Sequence, residues 1–127
     1  MTRFLGLGIA PATAGGFNDL HLDEGGNLVL VENAEAVAQH ARQRLLFWRR
    51  EWFLNPDAGV DYLRYILGRL PSEQPVAEAM LKREILATPG VAEIVEFDCS
   101  FDRATRGLKA GRVTILTEFD TELDLTF

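Results

Sequence analysis

Apolar and polar positions follow different periods along this chain, and each change of period marks a new element. Residues 1–16 are rich in Gly, Ala and Thr and keep no sustained period, so they are expected to form a mobile segment or one ordered only by a partner. "FNDLHLDEGGNLVLVEN" then predicts a hairpin. Phe17, Leu20 and Leu22 lead into Gly25, Gly26 and Asn27, which tolerate positive φ, and Leu28 to Val31 return. From Asn33, a favourable N-cap with Glu35 in the first turn, the period becomes helical: Ala34, Val37, Ala38, Ala41, Leu45 and Trp48 form one stripe. Gln39, Arg42, Gln43, Arg49 and Arg50 fall largely outside it. "NPDAG" is expected to stop this helix, because Pro56 restricts Asn55 and Gly59 suits a turn. A helix reaching residue 52 would put Trp48 and Trp52 on one face, with core packing their default role.

A short helix is expected over Tyr62 to Leu67, ended by Gly68. Ser72 then caps a third, with Pro75 in its first turn and Val76, Ala79, Met80, Arg83 and Leu86 at helical spacing, until "TPG" at residues 88–90 closes it. Beyond Gly90 the period is two. Val91, Val95, Phe97, Cys99 and Phe101 should share one face, "DRATRGLKAG" reads as a polar loop, and Val113, Ile115, Thr117 and Phe119 resume the alternation. In the tail, Glu118, Asp120, Glu122 and Asp124 alternate with Phe119, Thr121, Leu123, Leu125 and Phe127. An unbroken strand from Val113 to Phe127 would span about 50 Å, too long for this chain, so a bend near Asp120 or a projection is expected. An edge strand kept soluble by like charges and a docking strand for another chain both fit this pattern. The fold class is therefore α+β: an N-terminal hairpin and a long C-terminal hairpin in antiparallel sheet, packed with about three helices. Leu45, Trp48, Leu86, Val95, Phe97 and Ile115 are the expected core.

Composition narrows the chemistry. The 127 residues suit one domain, and 47% apolar with 25% charged residues is the balance of a globular protein. No apolar run reaches the length of a membrane span, and "MTRFLGLGIAPATAGG" makes a poor signal peptide, so a cytoplasmic protein with no membrane partner is expected. A net charge of −6 argues against nucleic acid. One cysteine supplies neither a disulfide nor a cysteine-based zinc site.

Motifs for catalysis or cofactors are missing. His21 and His40 lie in different elements without a third ligand at a recognisable spacing. "NPDAGVD" places Asn55, Asp57 and Asp61 at alternate positions, but Pro56, an early glycine and Ile66 break the calcium-loop pattern. Gly6 and Gly8 lack the rest of a dinucleotide fingerprint, and there is no Walker sequence and no G-x-S-x-G. Cys99, in an alternating apolar run, is expected to be a buried thiol rather than a nucleophile. Arg42, Arg44, Arg49 and Arg50 are expected to complement the helix end and pair with carboxylates rather than bind phosphate. No cofactor, metal or catalytic residue is assigned. A binding or structural protein is favoured.

The order of hairpin, long helix, "REWFLNPDAGVDYLRYILG", further helix, "TPGV" and two terminal strands resembles the baseplate wedge proteins of contractile phage tails, the W-like sheath-initiator family. The resemblance covers roughly residues 17–125 and is most specific in "EWFLNPDAGVDYLRYILG" and "ILATPGVAEI", with the Trp-Phe pair looking closer to the Mu-like tails. It implies one domain over residues 17–127, located in the tail baseplate of a virion assembled in the host cytoplasm. It implies no enzymatic activity but a junction between wedge proteins and the first sheath ring, with tail tube or hub as further candidate partners. Glu51 matches the glutamate of the family's Glu-Pro-Arg contact segment, while Trp52 and Phe53 depart from it. The resemblance thus makes Arg49, Arg50, Glu51, Trp52 and Phe53 candidates for a wedge contact. It casts the sheet as a platform for sheath strands, with Glu118, Asp120, Glu122 and Asp124 helping to select them. Some members have been described as lysozyme-like, so a murein hydrolase using Glu51 is the alternative.

Overall fold

The computed structural model describes residues 3–10, 19–105 and 107–125. Strands β1 (Leu5–Leu7) and β2 (Ile9–Ala10) are followed by β3 (Asp19–Leu20) and β4 (Leu30–Glu32). Helix α1 (Asn33–Leu46), the short α2 (Tyr62–Tyr65) and α3 (Gln74–Leu86) come next. The chain ends in β5 (Val91–Asp102), β6 (Gly107–Thr117) and β7 (Glu122–Leu125). The class is α+β, as the pattern of periods predicts.

The N-terminal region differs from a simple hairpin. Leu22 and Leu28 do face each other across a turn, with Gly26 at φ 79°. Yet β4 pairs with β1 and β3 pairs with β2, so the turn segment stands out between two strand pairs. Within the segment expected to be mobile, residues 5–7 and 9–10 are therefore paired strands. Phe17 and residues 11–16 lie outside the described residues. Asn33 does not act as the N-cap: Glu32 holds that position, while Asn33 itself sits at φ 50° and its Oδ1 accepts the Phe4 N–H at 3.4 Å. Gln39, predicted to lie off the core stripe, is bound to the N-terminal strands. Its Nε2 donates to the Leu7 carbonyl at 2.7 Å and its Oε1 accepts the Ile9 N–H at 3.2 Å.

The C-terminal strands form one antiparallel sheet in the order β5-β6-β7. Helix α3 packs on β5, and α1 packs on β6 and β7 as well as on α3. Between helices and sheet lie Ala41, Leu45, Ala77, Leu81, Ile85, Val113, Ile115 and Leu125, with Val60 and Ile66 from the connecting segment. Arg44 ties the two helices together: its Nε donates to Glu84 at 2.9 Å and its Nη1 to the Ala87 carbonyl at 3.0 Å, near the end of α3. Arg44 meets a carboxylate, as expected of these arginines, but the helix end it reaches is that of α3 rather than of its own helix.

Three members of the predicted core are on the surface. Trp48 is 41%, Leu86 51% and Val95 47% exposed. For α3 the buried stripe is Ala77, Leu81 and Ile85, not the predicted Val76, Ala79, Met80, Arg83 and Leu86. Ser72 caps nothing; residues 71–73 form a 3-10 turn in which Glu73 accepts the Leu70 N–H at 2.8 Å. In β5, register shifts between Val91 and Glu93, Ile94 and Glu96, and Phe97 and Cys99 break the period of two. Each shift offsets the alternation, so Ile94 turns inward and Val95 outward. The polar loop between β5 and β6 is also shorter than expected, since pairing resumes at Gly107.

The tail bends where the length argument requires, with Asp120 at φ 55°. It then returns rather than projects: β7 pairs with β6 from Leu116–Glu122 to Val113–Leu125, and Leu125 is buried. Gly90, at φ 91°, lets α3 turn into β5 against Val37; a Cβ there would stand 2.5 Å from Val37 Cγ2.

Cys99 is buried, as expected, and joins β5 to α3. Its thiol donates to Glu78 at 3.1 Å, and Gln74 Nε2 donates both to Glu78 and to the Cys99 carbonyl. Burial, followed by the adjacent Glu78, pushes the thiol up from 9.0 to about 12. The Tyr62 hydroxyl, which donates to the Leu45 carbonyl, is likewise raised by burial from 10.0 to about 12. Both groups stay neutral in the fold at pH values where the unfolded chain would ionise, so their contribution is complete below pH 9 and is lost as pH rises toward 12. The expected outcome is a thermal midpoint that falls across this window, with Cys99→Ala delaying the onset by about one pH unit, toward the ordinary tyrosine value. A pH series of thermal melts checks this, and an unchanged onset in the variant would contradict it.

Candidate functional site

Helix α1 ends at Leu46, well short of the proline turn. Phe47 is extended and pairs with the far end of the following loop: the Val60 N–H donates to the Phe47 carbonyl at 2.8 Å and the Arg49 N–H to the Val60 carbonyl at 2.9 Å. Residues 48–59 thus form a closed loop of the Ω kind. Inside it, the Arg50 N–H reaches the Pro56 carbonyl, Asn55 Oδ1 accepts the Asp57 N–H, and Arg49 pairs with Asp57 at 3.3 Å. At Gly59 the two ends touch. Its φ is 94° and a Cβ would lie 2.5 Å from the Phe47 carbonyl oxygen, so only glycine closes the loop without displacing backbone.

The loop holds its aromatic side chains outward. Trp52 meets Phe47 edge-on at 5.9 Å, Trp48 lies tilted against Tyr62 at 5.3 Å, and Phe53 is 84% exposed. Trp48 and Trp52 do not share a helical face, because no helix spans them. Arg50 sits at φ 73°, in the left-handed region. Glu51 Oε2 accepts the Trp48 N–H at 3.3 Å. Arg49, Arg50, Glu51, Trp52 and Phe53 are therefore one exposed group on one loop.

The four acidic candidates are elsewhere and are split. Glu118 and Asp120 belong to the β6–β7 turn, whereas Glu122 and Asp124 lie on β7. Asp124 accepts the Thr114 hydroxyl at 2.7 Å, and Arg112 reaches both Asp124 and Glu96 at 3.7 Å. A single arginine thus links carboxylates across the three strands, and the acidic row is not continuous. Asp124 also lines a cleft of about 370 Å³ with Ile9, Gln39, Arg42 and Leu46, separate from the aromatic loop. Here Arg42 Nε is buried without a hydrogen-bond partner among the described residues.

Sequence reasoning missed two surfaces. Leu63 from α2 extends the aromatic loop, a contribution from the next element that local pattern does not reveal. Leu5, Leu7, Leu20, Leu22, Leu28 and Leu30 are all exposed on the N-terminal strands, where Leu7 faces Leu30 and Leu22 faces Leu28. Their even spacing was visible in the sequence; their exposure was not. Among the described residues, no group of three or more His, Cys, Asp or Glu side chains could hold a metal ion, and no helix is long and apolar enough to cross a membrane.

A small α+β domain with open clefts, an outward aromatic loop and a sheet whose outer strands lack neighbours among the described residues has the form of a protein that joins others. Its family follows from comparison: a model of the contractile injection system sheath initiator matches residues 12–121, and the chain belongs to that family. Among curated proteins, none matches it. The family is structural and works with the sheath and baseplate components of contractile injection systems.

Proposed function

We propose that this chain joins wedge proteins of a tail baseplate to the first sheath ring and starts the sheath by β-strand addition. One observation carries the reading most: in the sheet β5-β6-β7, neither β5 nor β7 has a partner on its outer side among the described residues. Unpaired edges are templates for another chain, and backbone hydrogen bonds provide attachment that no single side chain controls. The two edges differ. β5 is interrupted by three register shifts, whereas β7 keeps an unbroken register. A regular edge accepts a straight strand more readily, so β7 is the favoured acceptor.

Ladder geometry gives a direct test. Thr117 N–H donates to the Thr121 carbonyl, and hydrogen-bonded pairs then alternate along the antiparallel strands, leaving the N–H groups of Glu122 and Asp124 turned away from β6. Glu122→Pro removes an outward donor without breaking the ladder. The expected result is a folded protein on which purified sheath protein polymerises at least tenfold more slowly. Wild-type polymerisation would remove β7 as the acceptor.

The wedge contact is assigned to Arg49, Arg50, Glu51, Trp52 and Phe53. Exposed aromatic groups supply most of their binding energy once a partner excludes water. Trp52→Ala is expected to leave the melting midpoint within a few degrees and to weaken capture of the baseplate complex by about 2 kcal/mol, roughly thirtyfold. Equal capture by variant and wild type would exclude Trp52 from the contact. Nothing in the geometry favours murein hydrolysis: Glu51 lies on an exposed loop, engaged by a backbone N–H.

A further inference from the structure

The N-terminal strands invert the usual arrangement of a half-buried sheet. Along residues 28–32 the outward positions are Leu28, Leu30 and Glu32, while Val29 and Val31 turn toward the body. On β1, Leu5 and Leu7 face out and Gly6 turns in, where a Cβ would stand 3.6 Å from both Val31 Cγ2 and Gln39 Nε2 of α1. The inner face therefore closes on α1 with small residues, and the larger apolar side chains are left outside. Leu7 stands opposite Leu30 and Leu22 opposite Leu28, so the strand pairs carry one continuous outward face. Its six leucines, Leu5, Leu7, Leu20, Leu22, Leu28 and Leu30, are each 43–60% exposed. A contiguous apolar face of this extent marks a contact surface.

Charge identifies what fits there. Between Arg3 and Arg42 the sequence has no Lys or Arg but five carboxylates, Asp19, Asp23, Glu24, Glu32 and Glu35. Arg3 pairs with Glu32 at one end of the face. Asp19, Asp23 and Glu24, at the other end beside Leu20 and Leu22, make no ion pair among the described residues. Asp19 accepts the Leu20 N–H and Asp23 those of Gly25 and Asn27, contacts that fix the carboxylates without removing their charge. The segment holds no cation to offset them, and the net charge of −6 acts in the same direction.

We infer that this face receives an amphipathic helix of another protein, with leucine-like side chains against the sheet and Lys or Arg at the end that meets Asp19, Asp23 and Glu24. A helix is the element that covers a sheet face, whereas a strand needs an edge. A second copy of this chain would bring two acidic rims together, and anionic lipid or nucleic acid would be repelled. The surface uses neither the β7 edge nor residues 49–53, so the inference stands apart from the sheath-seeding reading.

The test uses the full chain and a fluorescein-labelled helical peptide of about eighteen residues, Leu on one side and Lys on the other, followed by polarisation. Wild type is expected to bind it, with affinity falling as salt rises. Leu22→Gln combined with Leu28→Gln is expected to bind at least tenfold more weakly. Asp19→Asn combined with Glu24→Gln leaves every leucine in place and no ion pair broken; it is expected to keep the wild-type melting midpoint within a few degrees, to bind about threefold more weakly and to lose part of the salt dependence. This charge variant decides the matter if the leucine variant melts early. No binding by wild type, unchanged affinity and salt dependence in the charge variant, equal affinity in a folded leucine variant, or equal binding of a peptide with Ala in place of Leu would each overturn the inference. So would a wild-type dimer in sedimentation that the leucine variant abolishes, which would make a second copy the occupant, or recovery of the wild-type chain on phosphatidylcholine vesicles, which would make it a lipid surface.

Discussion

Leu45→Ala is expected to cost about 2–5 kcal/mol of folding stability, while Trp48→Ala, three residues on, should cost only about 1 kcal/mol. The contrast follows from placement. Leu45 is 0% exposed and packs where α1, α3 and the sheet meet, so truncation leaves a cavity that rigid neighbours fill poorly. Trp48 has left the helix, is half in solvent and relies on one tilted contact with Tyr62. Its truncation forfeits an aromatic pair, not a core anchor. Urea denaturation of both variants checks the prediction through midpoints at constant slope. Equal losses would return Trp48 to the core and contradict the closed loop between Phe47 and Val60.

Deleting residues 122–127 is expected to abolish cooperative folding. From the sequence, the tail looks dispensable, an acidic and apolar extension suited to docking. In the fold it supplies the third strand of the sheet. Loss of buried Leu125 alone costs about 2–5 kcal/mol, and each lost ladder hydrogen bond adds about 0.5–1.5 kcal/mol. Val113 and Ile115, among the most buried side chains, would also lose their neighbours on β7. The sum reaches the whole stability of an ordinary domain, about 5–15 kcal/mol. Circular dichroism should show a broad, non-cooperative melt. A truncated chain that melts sharply near the wild-type midpoint would show that β7 is peripheral. Because truncation destroys the scaffold, it says nothing about strand docking, whereas Glu122→Pro isolates the edge.

What could be read from the sequence depended on whether the deciding interactions were local. The inward stripe of α1 was legible because Val37, Ala41 and Leu45 repeat at helical spacing and no rival stripe competes. On α3 two apolar stripes exist, and the small Ala77 marks the buried one, which average hydrophobicity does not favour. The bend at Asp120 followed from strand length, but the return of β7 depends on pairing with β6. The bulges in β5 are invisible to a count of alternation. Likewise "FWRREWF" has no breaker after Leu46; the helix stops because Phe47 bonds to Val60, a contact across the loop. The first strands were not legible because each alternation, Leu5–Leu7 or Leu28–Leu30, is too short to establish a period, and their pairing joins residues more than twenty positions apart. For the candidate surface, the group from Arg49 to Phe53 was visible as aromatic and charged residues in the segment resembling a known family. Arg64 and Leu63 join it only through the fold.

The central claim is that this sheath-initiator family member offers a sheet edge to the first sheath ring. A structure of the assembled baseplate–sheath junction, at a resolution that traces strands, tests it most directly. The account predicts a sheath strand hydrogen-bonded along the outer edge of β7, with residues 49–53 turned toward baseplate proteins. Both outer edges of the sheet facing solvent in the assembled particle would contradict it.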